Sequence, residues 1–200
     1  MSTRLLLIRH GETDWNVEGR YQGQADPPLN DRGRAQARRL AASPPPDPAP
    51  DLIVSSPLAR ALETARILGA AWNVPVTTEP RFQEIHQGDW QGRLRGEIQR
   101  LYPDLFSAWE QRPWDVSPPG GESMEEVNRR VMEALSELLR KQEGRTVALV
   151  THRIPLALIK MRHQSLDPDA LRTLDIPNTR MEELVFDEFG NLCADRVLHA

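Results

Sequence analysis

The sequence predicts an α/β fold: a three-layer sandwich with a mostly parallel central sheet covered on both faces. Three observations carry this expectation. Leu5-Leu6-Leu7-Ile8 is apolar on both alternations, as a central strand buried on both faces requires. Strand-like runs at 51–55, 75–78 and 146–151 alternate with helical patterns, the signature of strands joined by crossover helices. Two of the runs end abruptly in polar, reactive residues, Arg9-His10-Gly11 and Thr151-His152, as strands of a parallel sheet do at their carboxyl edge.

The elements follow in order. After the first strand, residues 11–30 show no clean period and are rich in Gly, Asn, Asp and Pro, which predicts a long surface loop. A loop of that length usually has a function. From Asp31 to Leu40 the pattern is helical, with Asn30 or Asp31 as the cap. The proline-rich segment 43–50 should be an extended, exposed connector. Asp51 to Ser55 is the second strand. Ser56-Pro57 is expected to start a helix with proline in its first turn, and Leu58, Leu62, Ala65 and Leu68 keep one apolar face. Pro75 to Thr78 is a short third strand.

Residues 79–121 are less regular, with helical patches at 94–101 and 105–112 and large rigid surfaces at Trp90, Trp109 and Trp114. They are expected to form a lid or side wall over the sheet edge, within one domain spanning 1–200. Phe106, Trp109 and Trp114 are candidates for an apolar wall of a site, or for plain packing of the lid. Ser123 and Glu126 make a capping box for a helix carrying Val127, Val131, Leu135 and Leu138, which Gly144 ends. The strand at 146–151 leads to a helix over Ile154–Met161. Runs 181–186 and 192–198 flank Gly190-Asn191 and predict a closing hairpin.

Bulk properties narrow the function classes. Two hundred residues suffice for one domain with a sizeable core. A formal net charge of −4 gives no reason to expect nucleic acid or an anionic membrane as partner. Cys193 is the one cysteine, so neither an intrachain disulfide nor a cysteine metal cluster can form. No stretch approaches the length of a membrane span, and a cytoplasmic location is the simplest expectation. Monomer and homodimer both stay open.

Two histidines, two arginines and a carboxylate are the parts of a phosphoryl-transfer site. A phosphate monoester is a dianion near neutral pH, and a neutral imidazole such as His10 attacks it without charge repulsion. Arg9 and Arg60 suit the phosphoryl oxygens, because a guanidinium binds bidentately and stays charged. For Arg60 alone, a surface pair with Glu63 or Glu79 is an equal alternative. Glu84 lies among aromatics and a glycine. Burial there would favour the protonated carboxyl that a general acid needs, with His86 and Asp89 as competitors. If the two strands are neighbours, His152 stands beside His10 and steadies the transferring group, worth about 3 kcal/mol per well-aimed donor. His163 and His199 lack such settings.

Together these stretches resemble the histidine phosphatase superfamily, the phosphoglycerate mutase-like fold. The resemblance rests on Leu7-Ile8-Arg9-His10-Gly11-Glu12-Thr13, on Asn16 with Arg20-Tyr21-Gln22-Gly23, and on Ser55-Ser56-Pro57-Leu58-Ala59-Arg60-Ala61. It extends to Glu84 with Gly88, Trp90 and Gly92, to Gly121-Glu122-Ser123, and to Val150-Thr151-His152. It implies that His10 is phosphorylated, that Arg9, Arg60 and His152 hold the phosphoryl group, and that Glu84 donates the proton. Asn16 would complete the phosphate pocket, and Gln22 and Gly23 would meet the substrate. It also implies a small phosphomonoester substrate and hydrolysis without metal or organic cofactor. The stretch 84–92 resembles most the broad-specificity phosphatase branch. An α-ribazole phosphatase or sugar-bisphosphate phosphatase is the alternative on substrate, a phosphoglycerate mutase a further one, and a non-catalytic phospho-ligand module the opposing class.

One departure stands out. The family usually has glycine after the second histidine, and Arg153 stands there. Arginine would adopt glycine's backbone angles only at a cost. Three consequences are open: distortion absorbed elsewhere, a new anion contact, or damaged activity.

Overall fold

The computed structural model describes residues 2–43 and 47–199, without the side chains of Arg172 and His199. The centre of the proline-rich connector and the side chain of His199 therefore lie outside the described residues.

Six strands form one sheet: β1 (Thr3–Arg9), β2 (Leu52–Ser55), β3 (Val76–Thr78), β4 (Thr146–Thr151), β5 (Met181–Phe186) and β6 (Leu192–His199). Their order is β3-β2-β4-β1-β5-β6. The first four run parallel, and the closing hairpin β5–β6 is antiparallel. The mostly parallel sheet is as expected. β1 lies beside β4 with Arg9 opposite Thr151, and β4 lies beside β2 with Val150 opposite Ser55. Three chain segments thus leave the sheet at one edge: His10, Ser56 and His152.

Alternation divides the core in two. Leu5, Leu7, Val147 and Leu149 face one apolar cluster, and Leu6, Ile8, Ala148 and Val150 face the other. The first is covered by α6 (Met124–Lys141), α7 (Arg153–His163) and the aromatic residues of 79–121; the second by α2 (Asp31–Ala42) and α3 (Ala59–Trp72). A strand buried on both faces must be apolar at every position, which explains the unbroken Leu-Leu-Leu-Ile run.

Local chemistry sets the helix starts. Asn30, not Asp31, caps α2, accepting from the Gly33 N–H at 2.8 Å. Ser123 and Glu126 form the expected capping box of α6. Two expectations are corrected. Residues 11–30 are not structureless: Thr13 caps a short helix, α1 (Asp14–Glu18), through a reciprocal box with Asn16. Pro57 does not sit in the first turn of α3. Leu58 is the cap, so Pro57 precedes it and fixes the chain's entry.

In 79–121, helices α4 (Arg95–Leu101) and α5 (Pro103–Gln111) occur where the patches predict them. Trp90 is fully buried and meets Tyr21, Phe106 and Trp109 in edge-on contacts with ring centroids 5.6–6.0 Å apart. Such geometry suits the aromatic quadrupoles and locks the wall against the loop at Tyr21. A last short helix, α8 (Ala170–Thr173), precedes β5.

Candidate active site

A cavity of about 580 Å³ opens at the carboxyl edge of the parallel strands. Arg9, His10, Asn16, Gln22, Gly23, Arg60, Glu84 and Arg153 all line it. Of the residues expected to hold or transfer the phosphoryl group, His152 is the one not on the cavity surface. It is fully buried behind His10, with ring centroids 5.0 Å apart.

His10 follows the last residue of β1, where the sheet ends and side chains can meet a ligand. Its backbone is fixed on both sides: its N–H donates to Thr151 at 3.0 Å, and Asn178 donates to its carbonyl at 2.8 Å. Its Nδ1–H donates to the Gly11 carbonyl at 2.7 Å. A carbonyl can only accept, so the proton resides on Nδ1 and the lone pair on Nε2. Burial, with the Arg60 and Arg9 guanidinium groups adding to it, holds the ring well below the usual imidazole pKa. The ring is therefore neutral, which a nucleophile requires.

Arg60 is the second residue of α3 and almost wholly buried. Neither Glu63 nor Glu79 takes it; those carboxylates pair with Arg34 and Arg81. Its Nη1 donates to the Ala25 carbonyl at 2.9 Å and its Nη2 to the Gly23 carbonyl at 2.7 Å. Burial pulls its pKa down to about 10, against the raising influence of Glu84 and Asp26. Arg9 Nη1 donates to the Ile176 carbonyl at 2.7 Å, and burial lowers its pKa too. The Nε groups of both arginines are buried without a protein partner. Two fixed guanidinium groups thus converge on the neutral His10.

Gly23 has φ of 54°, and a Cβ there would lie 2.5 Å from Gln91 Oε1. Glycine is needed so that the loop can turn and offer its carbonyl to Arg60. Asn16 spends its Oδ1 on the Thr13 N–H at 3.1 Å and leaves its amide nitrogen for the cavity. Gln22 Oε1 is buried and unpaired.

Glu84 is half-buried, which corrects the expectation of burial; the buried neighbours are Ile85 and Trp90. Its carboxylate accepts from Ile85 N–H at 3.0 Å and from Ile154 N–H, in the first turn of α7, at 3.3 Å. His86 accepts from the Gly88 N–H and exposed Asp89 accepts from the Tyr102 hydroxyl; neither lines the cavity. Of the three competitors, Glu84 is the one with access to a ligand.

Two groups of supporting residues carried no signal that spacing could reveal. Arg130, on α6, donates to the carbonyls of Arg81, Gln83 and Glu84 at 2.7, 2.7 and 3.0 Å and pairs with Glu122. Glu122 in turn accepts from the His86 N–H at 2.8 Å. The backbone that bears Glu84 is thus clamped by one guanidinium. Ser56 is the other case. Its Oγ accepts from Leu58 N–H at 3.3 Å and stands 2.8 Å from His152 Nε2. Ser56 is fully buried, and its hydroxyl proton has no other acceptor among the described residues. Satisfying the Ser56 hydroxyl assigns it as donor to Nε2 and places the His152 proton on Nδ1, which has no protein partner in its buried setting. Burial, with Arg60 and His10 adding to it, holds His152 well below its usual pKa. The ring is therefore neutral, not a cation.

Arg153 begins α7 as its first residue and is not among the residues with positive φ. The expected distortion is absent, because the chain enters a helix there and any L-residue fits. Phe106 and Trp114 pack with the core, so of the three aromatic candidates Trp109 lines the cavity.

The family model described as histidine phosphatase superfamily (branch 1) matches residues 5–196. The chain is 40% identical over 153 residues to phosphoserine phosphatase 1 of Hydrogenobacter thermophilus, covering 76% of this chain and 72% of that one. It is 41% identical over 157 residues to a glucosyl-3-phosphoglycerate phosphatase of Mycolicibacterium vanbaalenii, covering 74% and 68%. The solved structure of the α-ribazole phosphatase from Shigella flexneri matches with a TM-score of 0.88 at 29% identity, over 98% of this chain and 96% of that one. The chain belongs to branch 1 of the histidine phosphatase superfamily and is a phosphomonoesterase of that type.

Proposed function

We propose that this protein hydrolyses phosphomonoesters through a phosphohistidine at His10, with a broad range of leaving groups. The observation that carries the reading is the state of His10: neutral, Nδ1 committed to Gly11, Nε2 free, and two buried guanidinium groups beside it. Nε2 attacks phosphorus as the ester oxygen leaves. Arg9 and Arg60 hold the equatorial oxygens, Asn16 and Gln22 extend that grip, and the Nδ1–H of His152 donates to the same group. Glu84 protonates the departing alkoxide, then removes a proton from the water that cleaves the phosphohistidine. No step calls on a metal or organic cofactor.

Residues 79–121 serve as the side wall of this site within one domain, contributing Glu84, Gln87, Trp109, Glu110 and Pro113 to the cavity. The breadth of substrate follows from the contrast between the two ends. The phosphoryl end is dense with fixed donors. Trp109, Pro113, Met124 and Leu171 add apolar lining to the same cavity, surfaces that tolerate many carbon skeletons. Relatives whose names specify phosphoserine, glucosyl-3-phosphoglycerate and α-ribazole phosphate fit a constant phosphoryl end with a variable outer end.

The test is a rapid quench with p-nitrophenyl phosphate, followed by mapping of acid-labile phosphate. The label should sit on His10, vanadate should inhibit, and His10→Ala should lose turnover. Undiminished turnover in His10→Ala would overturn the mechanism. A preference of several hundredfold for one compound in a monoester panel would overturn the breadth.

A further inference from the structure

We propose that Arg153 forms a second anion subsite, which favours phosphomonoesters whose leaving group carries a carboxylate. The inference rests on the reading of this cavity as a phosphomonoesterase site. Arg153 follows His152 directly and starts α7, so it is anchored to the same sheet edge as His10. It lines the same cavity as His10, with Trp109, Glu110 and Leu171.

Arg153 differs from the other arginines of the cavity in what it is bonded to. Arg60 is bonded to the Gly23 and Ala25 carbonyls at the phosphoryl end, and Arg20 is spent on Glu18 and the Gly92 carbonyl. Arg9 is held by Ile176 and lies at the phosphoryl end. Arg153 makes one hydrogen bond, from Nη2 to the Leu171 carbonyl at 3.0 Å, which fixes its plane and leaves most of its five N–H groups available. Among the described residues no carboxylate lies within ion-pair distance of it. Glu110, the acidic neighbour on the cavity wall, is already paired with Arg95 and accepts from the Tyr21 hydroxyl. The positive charge of Arg153 thus has no carboxylate partner among the described residues.

The chemistry of that group selects its ligand. One flat, monovalent fork matches one monovalent carboxylate, which it can bind bidentately. A second phosphate dianion would call for a paired cation like the Arg9–Arg60 couple, and the outer end offers none. Leu171, which bonds the guanidinium through its carbonyl, and Trp109 line the same cavity and suit the carbon skeleton between the two anionic groups. The absence of a glycine after His152 is then a specificity device and not a defect, since the helical backbone accepts arginine without strain.

A charge-assisted contact of this kind corresponds to a preference of about ten- to a hundredfold in kcat/KM. The experiment compares 3- and 4-carboxyphenyl phosphate with the matching carboxamides, which have the same size and lack the charge. The native enzyme should prefer at least one carboxylate by about tenfold or more, mainly through KM. Arg153→Gln should bring that ratio to near one, and Arg153→Lys, which keeps the charge without the fork, should retain part of it. A ratio near one for both isomers in the native enzyme overturns the subsite. So does a Gln variant with the native ratio. Hydrolysis of neither acids nor amides by the native enzyme would overturn the phosphomonoesterase reading itself, an outcome distinct from the loss of preference alone.

Discussion

Ser56→Ala removes one hydroxyl that no substrate would touch, yet it should impair both stability and turnover. The hydroxyl lies 2.8 Å from His152 Nε2 in a fully buried setting, and His152 Nδ1 already lacks a protein partner. Taking the hydroxyl away strands Nε2 as well, at a cost of about 1–3 kcal/mol. For a chain of this size that is a fall in Tm of about 4–8 °C at the midpoint of the range. The kinetic effect has a separate origin. With Ser56 present, Nε2 accepts and Nδ1 must carry the proton. Without it, the proton is free to sit on either nitrogen and the donor toward the phosphoryl group is lost part of the time. Loss of a full preorganised donor costs about a hundredfold or more in kcat, so Ser56→Ala, which loses the donor only part of the time, should cost about two- to tenfold. Steady-state kinetics on p-nitrophenyl phosphate, with thermal melts alongside, measures both. The decisive comparison is a double-mutant cycle with His152→Ala. If Ser56 acts through His152, the double variant is no slower than His152→Ala alone. Multiplying effects, or a Ser56→Ala enzyme with native kcat, would refute the tautomer argument.

Three other outcomes follow from the same geometry. Stability should fall as pH drops from 7 toward 5: the folded pKa values of His10, His152 and His163 are lowered, the unfolded chain takes up protons first near 6.5, and a flat Tm across that window would contradict the burial of these rings. Arg130→Met loosens the backbone that bears Glu84, so it should slow hydrolysis of alkyl phosphates about tenfold or more while p-nitrophenyl phosphate, whose leaving group needs little protonation, suffers far less; equal losses on both would show a purely structural role. Gly33→Ala should destabilise by about 2 kcal/mol or more, because its Cβ would lie 2.1 Å from the Glu12 carbonyl oxygen where α2 crosses the loop after β1, and a chemical melt within 0.5 kcal/mol of native (about the size of a neutral surface change) would show that the crossing can yield.

Much of the fold was legible because its causes are local. An unbroken apolar run reads as a doubly covered strand, and a Ser-x-x-Glu box reads as a helix start, whatever surrounds them. The residues at strand ends were legible for the same reason: Arg9, His10 and His152 interrupt a hydrophobic pattern at the one place where a parallel sheet exposes side chains. Other features were not written locally. The helix at Asp14–Glu18 is five residues long, too short to show a period, and depends on its cap. The burial expected of Glu84 went instead to its neighbours, since the flanking aromatics turn into the core and leave the half-buried carboxylate lining the cavity.

The sequence by itself determined the α/β class, the order of its elements, and most of the residues that the structure gathers around the cavity, because periodicity and strand termination are properties of neighbours in the chain. Only the tertiary structure decided that Arg60 passes over Glu63 and Glu79 for two loop carbonyls and Asp26, that Ser56 contacts His152 across 96 residues, that Arg130 clamps the Glu84 backbone, and that Arg153 begins a helix instead of straining a turn. Each of those depends on which strands lie side by side, and strand order is set by packing over the whole sheet, which no local run of residues encodes.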